Sequence, residues 1–198
     1  MRLLAIDTAT PHPSLAVAVD GSAPRTVELP RLGAEALAPA VASLLFDLGL
    51  VPRDLDRIAV VSGPGSFTGL RSSLAFARGL ARATGALLVL VPTFVAASET
   101  IPAPPEADFF LDALRGEVHR RRRRNGSLLP EEERLNRETA LFEADRDGAA
   151  GIDLGSSALL LAPAAISLAR RAPAEEQGAL AYGRLPAAVE RFGTGETS

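Results

Sequence analysis

The sequence contains no cysteine, no tryptophan and no lysine, and only two histidines and one tyrosine. Without thiols there is neither a disulfide framework nor a thiolate metal site. With His12 and His119 as the only imidazoles, there is little basis for a histidine-held metal, and no metal site is expected. No apolar run reaches membrane-spanning length, and Met1-Arg2 leads directly into strand residues, so a cytoplasmic location is the default expectation. All 21 basic residues are arginine, which reads as compositional bias, and a net charge of −3 gives no global drive toward nucleic acid.

What is present is an ordinary globular composition: 198 residues, 47% hydrophobic and 23% charged, enough for one large domain or two small lobes. The most informative stretch runs from Val60 to Arg71. Ile58-Ala59-Val60-Val61 is a β-branched strand run, and Gly63-Pro64-Gly65 then forces a sharp turn. Ser66 or Thr68 caps a helix in which Leu70, Leu74, Ala77 and Ala81 recur at helical spacing, up to a stop at Gly85.

Two physical readings of this turn stand side by side. A helix start after a glycine turn presents unpaired backbone N–H groups that suit a phosphate or carboxylate. In that reading Gly63, Gly65, Ser66, Thr68 and Gly69 would contact an anion, with Arg71 nearby. Asp7, at the end of the first strand, would then hold a Mg²⁺–phosphate through water. The other reading is steric: a tight strand-to-helix corner, with Asp7 capping its own turn. Gly69, Ser72, Ser73, Ala75 and Gly79 then keep the helix thin enough for close approach by another helix. The stretch is neither a Walker loop nor GxGxxG. Leu70, Leu74 and Ala77 lie along one helix face and Phe76, Leu80 and Ser73 along the next, which argues for two packing partners.

In order, Leu3–Thr10 starts as an apolar strand, Ser14–Val19 returns, and Asp20-Gly21 turns the chain into a third strand around Arg25–Leu29. A helix is expected over Ala34–Leu48, with Pro39 in its first turn or at a kink. Leu87–Val91 is a further buried strand. A meander followed by β-α-β crossovers makes a mixed α/β lobe. Ile101-Pro102-Ala103-Pro104-Pro105 is stiff and extended, and marks the expected boundary between a lobe of residues 1–100 and a smaller one of residues 101–198. Phe109–Ala113 reads as a strand. Asn125-Gly126 signals a hairpin between Glu117–Arg124 and Ser127–Leu129. The five arginines Arg120–Arg124 invite a nucleic-acid-phosphate reading, weighed against an exposed edge hairpin whose charges block edge pairing. Helices are expected around Glu138–Ala144 and over Ala162–Arg171, and the tail Phe192–Ser198 is expected to be disordered.

The segments LLAIDTAT, LAPAVASLL and above all VSGPGSFTGLRSSLAFARGLA resemble the TsaB (YeaZ) family. So do Asp112–His119, similar to that family's DARRGEVY, and Tyr182-Gly183-Arg184-Leu185-Pro186, similar to its closing Y-x-R-x-P. The resemblance implies a two-lobed α/β fold of the actin-like ATPase and sugar-kinase class, with mixed sheets, flanking helices and here a degenerate second lobe. It also implies an accessory subunit without catalytic residues or a cofactor of its own. Such a subunit pairs with TsaD, and with TsaE in a ternary complex, for threonylcarbamoyl transfer to tRNA. A homodimer is the alternative for the isolated chain. Its pairing surface would be built from Leu37, Val41 and Leu44, and from Leu70, Arg71, Ser73, Leu74, Ala75, Phe76 and Arg78. ATP and Mg²⁺ would bind only at the junction with TsaD, and tRNA contact would be indirect or weak. The residues agree with this division of labour. Asp7-Thr8-Ala9-Thr10 lacks the glycine of a phosphate hairpin, and Gly151–Ser157 is a weak counterpart in the second half. The second reading is a nucleotide-binding ATPase or kinase-like enzyme using Asp7 and the Gly63–Gly69 turn. The chain departs from the family at Arg31–Glu35, where a His-Ser pair is usual, and at His119, often tyrosine.

Overall fold

A computed structural model describes residues 1–30, 36–155 and 160–172. Strands β1 (Arg2–Asp7), β2 (Ser14–Val19) and β3 (Arg25–Glu28) form the meander. Helix α1 (Leu37–Phe46), strand β4 (Arg57–Val61), helix α2 (Phe67–Thr84), strand β5 (Leu87–Val91) and helix α3 (Thr93–Thr100) follow. The first sheet has the order β3-β2-β1-β4-β5, antiparallel across β1–β3 and parallel across β1, β4 and β5. Residues 101–106 lead to a second sheet. It contains β6 (Ala107–Asp112), β7 (Glu117–Arg124), β8 (Ser127–Asn136) and β9 (Ala150–Asp153) in the order β8-β7-β6-β9, with α4 (Arg137–Arg146) before β9. Helix α5 (Ala162–Arg171) returns to the first sheet, where Arg57 of β4 donates to the carbonyls of Ala169 and Ala172, both at 2.6 Å. This is a two-lobed α/β structure with two mixed sheets and flanking helices, as the resemblance implied. Among the described residues no helix is long and apolar enough to cross a membrane.

Strand alternation divides the core of the first lobe. Leu4, Ile6, Leu15, Val17, Ile58 and Val60 pack with α1 on one side of the sheet. Leu3, Ala5, Ala59, Val61 and Val89 face the other way, onto α3 and α5. The parallel strands are therefore covered on both faces, which is why they read as unbroken apolar runs rather than as alternating ones. Helix α1 is shorter than the span expected for it, and Pro39 sits in its first turn, where a missing N–H costs no hydrogen bond.

The departures from expectation are helix α3 of the first lobe and much of the second lobe. Helix α3 and strand β9 carry too little periodicity to be read from sequence. Strand β8 extends ten residues, through the glutamates. Gly151-Ile152-Asp153, weighed as a phosphate-turn counterpart, forms β9, paired parallel to β6. Tyr182–Pro186 and the tail Phe192–Ser198 lie outside the described residues, as do Arg31–Glu35 and Ser156-Ser157.

The arginine run is not an exposed edge. β7 lies inside its sheet, between β8 and β6, so consecutive arginines are forced to opposite faces. Arg120 is 2% exposed and donates to Glu133 at 2.6 and 2.8 Å and to Glu143 at 2.8 Å, with Asp108 at 3.7 Å. Arg122 lies 3.2 Å from Glu133, and Arg124 donates to Asp108 at 2.6 Å. On the opposite face Arg121 donates to the Leu129 carbonyl at 2.7 Å, and Arg123 to the main-chain carbonyls of Ser98 in the first lobe and Ala103 in the connecting segment. All five guanidiniums are engaged within the chain, which removes the edge-hairpin expectation and weakens the nucleic-acid-phosphate one. The Arg120 guanidinium holds the Glu143 carboxyl below its ordinary range by direct hydrogen bonding. Arg120→Ala should destabilise the protein by about 3 kcal/mol in a urea melt. That is the lower end for breaking a buried ion pair, because Glu133 and Glu143 can hydrate and Asp108 keeps Arg124. Arg122→Ala, at a more open pair, should cost no more than about 1 kcal/mol.

Candidate functional site

The loops that leave β1, β4 and β6 converge on one cleft of about 860 Å³ between the lobes. Thr8–Thr10 come from the end of β1, Gly65–Gly69 from the start of α2, and Asp112–Leu114 from the end of β6, with His119 of β7 beside them. A position beyond the carboxyl ends of parallel strands is where open α/β sheets bind ligands.

The corner between β4 and α2 shows what its glycines do. A Cβ on Gly69 would lie 1.9 Å from the Thr8 carbonyl oxygen, and one on Gly65 would lie 2.3 Å from that of Ala9. The Ser66 N–H donates to Ala9 O at 2.8 Å, and Thr8 Oγ1 donates to Gly69 O at 2.7 Å. Ser66 is the N-cap, its Oγ accepting from the Gly69 N–H at 3.2 Å. From the other side, the Thr93 N–H donates to Gly63 O and Thr93 Oγ1 to Pro64 O. Gly65 and Gly69 thus serve close approach to the β1–β2 turn, and Ser66 serves the cap. Thr68 is exposed at the helix start, and Arg71 lies over the Phe67 ring at 5.3 Å.

Asp7 does not reach this cleft. It is fully buried, with Oδ1 accepting from the N–H groups of Ala9 (2.8 Å) and Thr10 (3.3 Å) and Oδ2 from Thr10 Oγ1 (2.7 Å). The capping alternative therefore holds, and the Mg²⁺–phosphate role is corrected: the carboxylate is committed to its own turn. Burial raises its pKa from 3.8 to about 6, against the lowering effect of those hydrogen bonds.

The expected pairing residues divide. Leu37, Val41, Leu44, Leu70 and Ser73 are buried in the chain's own core, and Ser73 Oγ donates to Gly69 O at 3.0 Å. Their side chains are used internally, so they are removed from the pairing surface. Leu74, Phe76 and Arg78 are half-buried, while Arg71 and Ala75 are exposed. Gly79, weighed in the sequence among the small residues that admit another helix, is exposed on the same stripe of α2, and so is Arg82, which was not singled out. The 71-75-79-82 spacing was available to find Arg82. Asp112, Leu114 and His119 of the cleft were also missed as site residues, because only the tertiary fold brings them to α2. His119 Nδ1 lies 3.2 Å from Glu132. Among the described residues no group of acidic and histidine side chains is arranged to hold a metal ion.

A family model described as "TsaD: tRNA N6-adenosine threonylcarbamoyltransferase" matches residues 12–126. The tRNA threonylcarbamoyladenosine biosynthesis protein TsaB of Escherichia coli is 43% identical over 82 residues, covering 41% of this chain and 36% of that protein. The chain belongs to the TsaB (YeaZ) branch of that family. The TsaB of Bacillus subtilis is 51% identical over 43 residues, covering 22% of this chain and 19% of that one. These matches span less than half of the curated relatives' length. Over most of its length the chain also follows a crystal structure from Pseudomonas aeruginosa described as similar to peptidase YEAZ. There the identity is 28% and the TM-score 0.73, covering 93% of this chain and 97% of the other. YeaZ from the same organism gives 27% identity and a TM-score of 0.69, covering 85% and 90%.

For a TsaB-family chain the corner makes two sharp demands. Gly69→Ala should cost about 3 kcal/mol or more, because the added methyl would overlap the Thr8 main chain, which has no flexible end to move aside. Gly79→Ala has open space and should stabilise the helix by about 0.5–1 kcal/mol, both changes read in the same denaturant series. Asp7 sets a pH dependence. The folded form holds its proton more tightly than the unfolded chain, so this group's contribution to stability falls as pH rises from about 4 to about 6 and is then level. Asp7→Asn keeps an acceptor but buries no charge. It should raise stability at pH 7.5 by about 1–3 kcal/mol, an advantage that disappears below pH 4 in parallel melts.

Proposed function

We propose that the chain is a non-catalytic partner subunit for threonylcarbamoyl transfer to tRNA adenosine, pairing with a TsaD-type subunit and, in a ternary assembly, with TsaE. The observation that carries this reading is the α2 corner. The glycines and the acid that a nucleotide-hydrolysing relative would need are committed to packing and capping within the chain. The names of the TsaB relatives and the description of the matching family model support the pathway.

The exposed stripe Arg71, Ala75, Gly79 and Arg82 of α2 is the surface that docks, with half-buried Leu74 and Phe76 at its margins. Gly79 has nothing within 4 Å of where a Cβ would sit, so a partner helix can come close there, and flanking arginines suit an interface rim. In isolation the same face pairs two copies. Mg-ATP, where it acts, lodges at the junction with the TsaD-type subunit, and the chain needs no cofactor of its own. The engagement of all five β7 arginines within the chain supports tRNA contact through the partner.

Ala75→Arg places a long charged side chain on an exposed helix position. It should leave the melting temperature unchanged while reducing co-purification with the TsaD-type subunit at least about tenfold. Retained pairing would put the interface elsewhere. In the same preparation, isothermal titration of the isolated chain with Mg-ATP should show no saturable binding. Tight binding with turnover would favour the ATPase or kinase-like reading instead.

A further inference from the structure

The segment joining the lobes is held more firmly than a hinge would be. Residues 101–106 carry Pro102, Pro104 and Pro105, each fixing φ and lacking an N–H. Their partners come from the far lobe, at the distal end of β7 and the turn that follows it. The guanidinium of Arg123 donates to Ser98 O at 3.3 Å and to Ala103 O at 3.2 Å, and stands 5.9 Å from the centre of the Phe109 ring. Ser98 lies in the last turns of α3, where carbonyls lack helical partners and a cation is favoured. The Gly126 N–H donates to Pro105 O at 3.1 Å, and the Asn125 N–H to Glu106 Oε1 at 2.7 Å. Arg124 donates to Ala107 O at 3.3 Å and lies 3.6 Å from the Glu106 carboxylate.

Beneath these polar contacts the apolar core is continuous between the lobes. Phe109 and Leu111 of β6 belong to one cluster with Phe94 and Ala97 of α3 and with Ile166 and Ala169 of α5. Two-lobed enzymes that close on a ligand rely on a few connecting residues to absorb large φ/ψ changes. Here the Ala103 and Pro105 carbonyls are bonded to the β7–β8 hairpin of the second lobe, Arg123 of that hairpin also reaches Ser98 of the first lobe, and the prolines restrict φ.

We infer that Arg123 and the Asn125-Gly126 turn form a latch that fixes the two lobes in one orientation, so the cleft keeps one width with or without nucleotide. The latch needs only the contacts described, and it stands or falls separately from the identity of the partner subunit. It makes the chain a rigid body that meets a partner with its surface already formed.

The absence of cysteine allows clean spin labelling. Labels at the double substitution Ala83→Cys and Glu131→Cys, both at exposed positions on opposite lobes, report the interlobe distance by double electron–electron resonance. The expected result is one narrow distance peak that does not move on adding Mg-ATP. Arg123→Met keeps an apolar stem over Phe109 but removes the donors. It should broaden that peak and speed amide exchange at Ala103 and Gly126 at least about tenfold, with Arg123→Lys intermediate. Glu106→Ala, at a side chain 43% exposed, leaves the core untouched and should speed exchange at Asn125 by a similar factor. The inference is overturned by a broad or two-peaked distribution in the unsubstituted background, or by a shift with Mg-ATP. It also fails if both the Arg123→Met and the Glu106→Ala variants leave distance and exchange unchanged.

Discussion

Helix α2 meets the β1–β2 turn with no room for a side chain between them. The hydrogen of Gly69 faces the Thr8 carbonyl, and Gly65 lies against Ala9. Once that contact is made, the Ser66 N–H and the Thr8 hydroxyl each find a main-chain oxygen across the gap. The helix axis, the depth of the cleft floor and the outward stripe on α2 all follow from this docking. A glycine-rich turn that precedes a helix is often read as an anion site. Here the same residues satisfy a packing requirement inside the chain.

Among the described residues three ionisable side chains are buried nearly completely, Asp7, Asp108 and Arg120, and the acid at the end of β1 is handled differently from the other two. Asp7 has three donors but no counter-charge among the causes of its shift, so burial dominates and raises its pKa. Arg120 sits among three carboxylates, bonded directly to Glu133 and Glu143 with Asp108 3.7 Å away, and keeps its charge there. A buried ion pair contributes little net stability compared with an apolar core. Its geometric consequence is larger: Arg120 joins β7 to α4 and β8 and fixes which face of the arginine run turns toward each.

Much of the first lobe was legible because its signals are local. The apolar runs of β1, β4 and β5, the Asp20-Gly21 turn, and the Ser66 cap with the Gly85 stop each depend on neighbours a few residues away. Helix α3 was less legible because it is short and weakly amphipathic, and β8 of the second lobe because its glutamate run has little strand propensity, although it pairs with β7 across the sheet. The proposed pairing surface meets an ambiguity that helical spacing does not resolve. Leu37, Val41, Leu44 and Leu70 are apolar at helical spacing whether a helix faces its own sheet or another subunit, and the spacing cannot say which.

The sequence by itself determined the mixed α/β character, the strand–turn–helix corner and the family, because these rest on local backbone preference and on a long specific motif. Only the tertiary structure decided what the corner is for, where the arginines point and how the lobes are joined. Those depend on residues far apart in the chain: Thr8 against Gly69, Arg120 against Glu143, and Arg123 against Ser98. Contacts between distant residues leave no period or local composition to read, so their meaning appears only when folding sets them side by side.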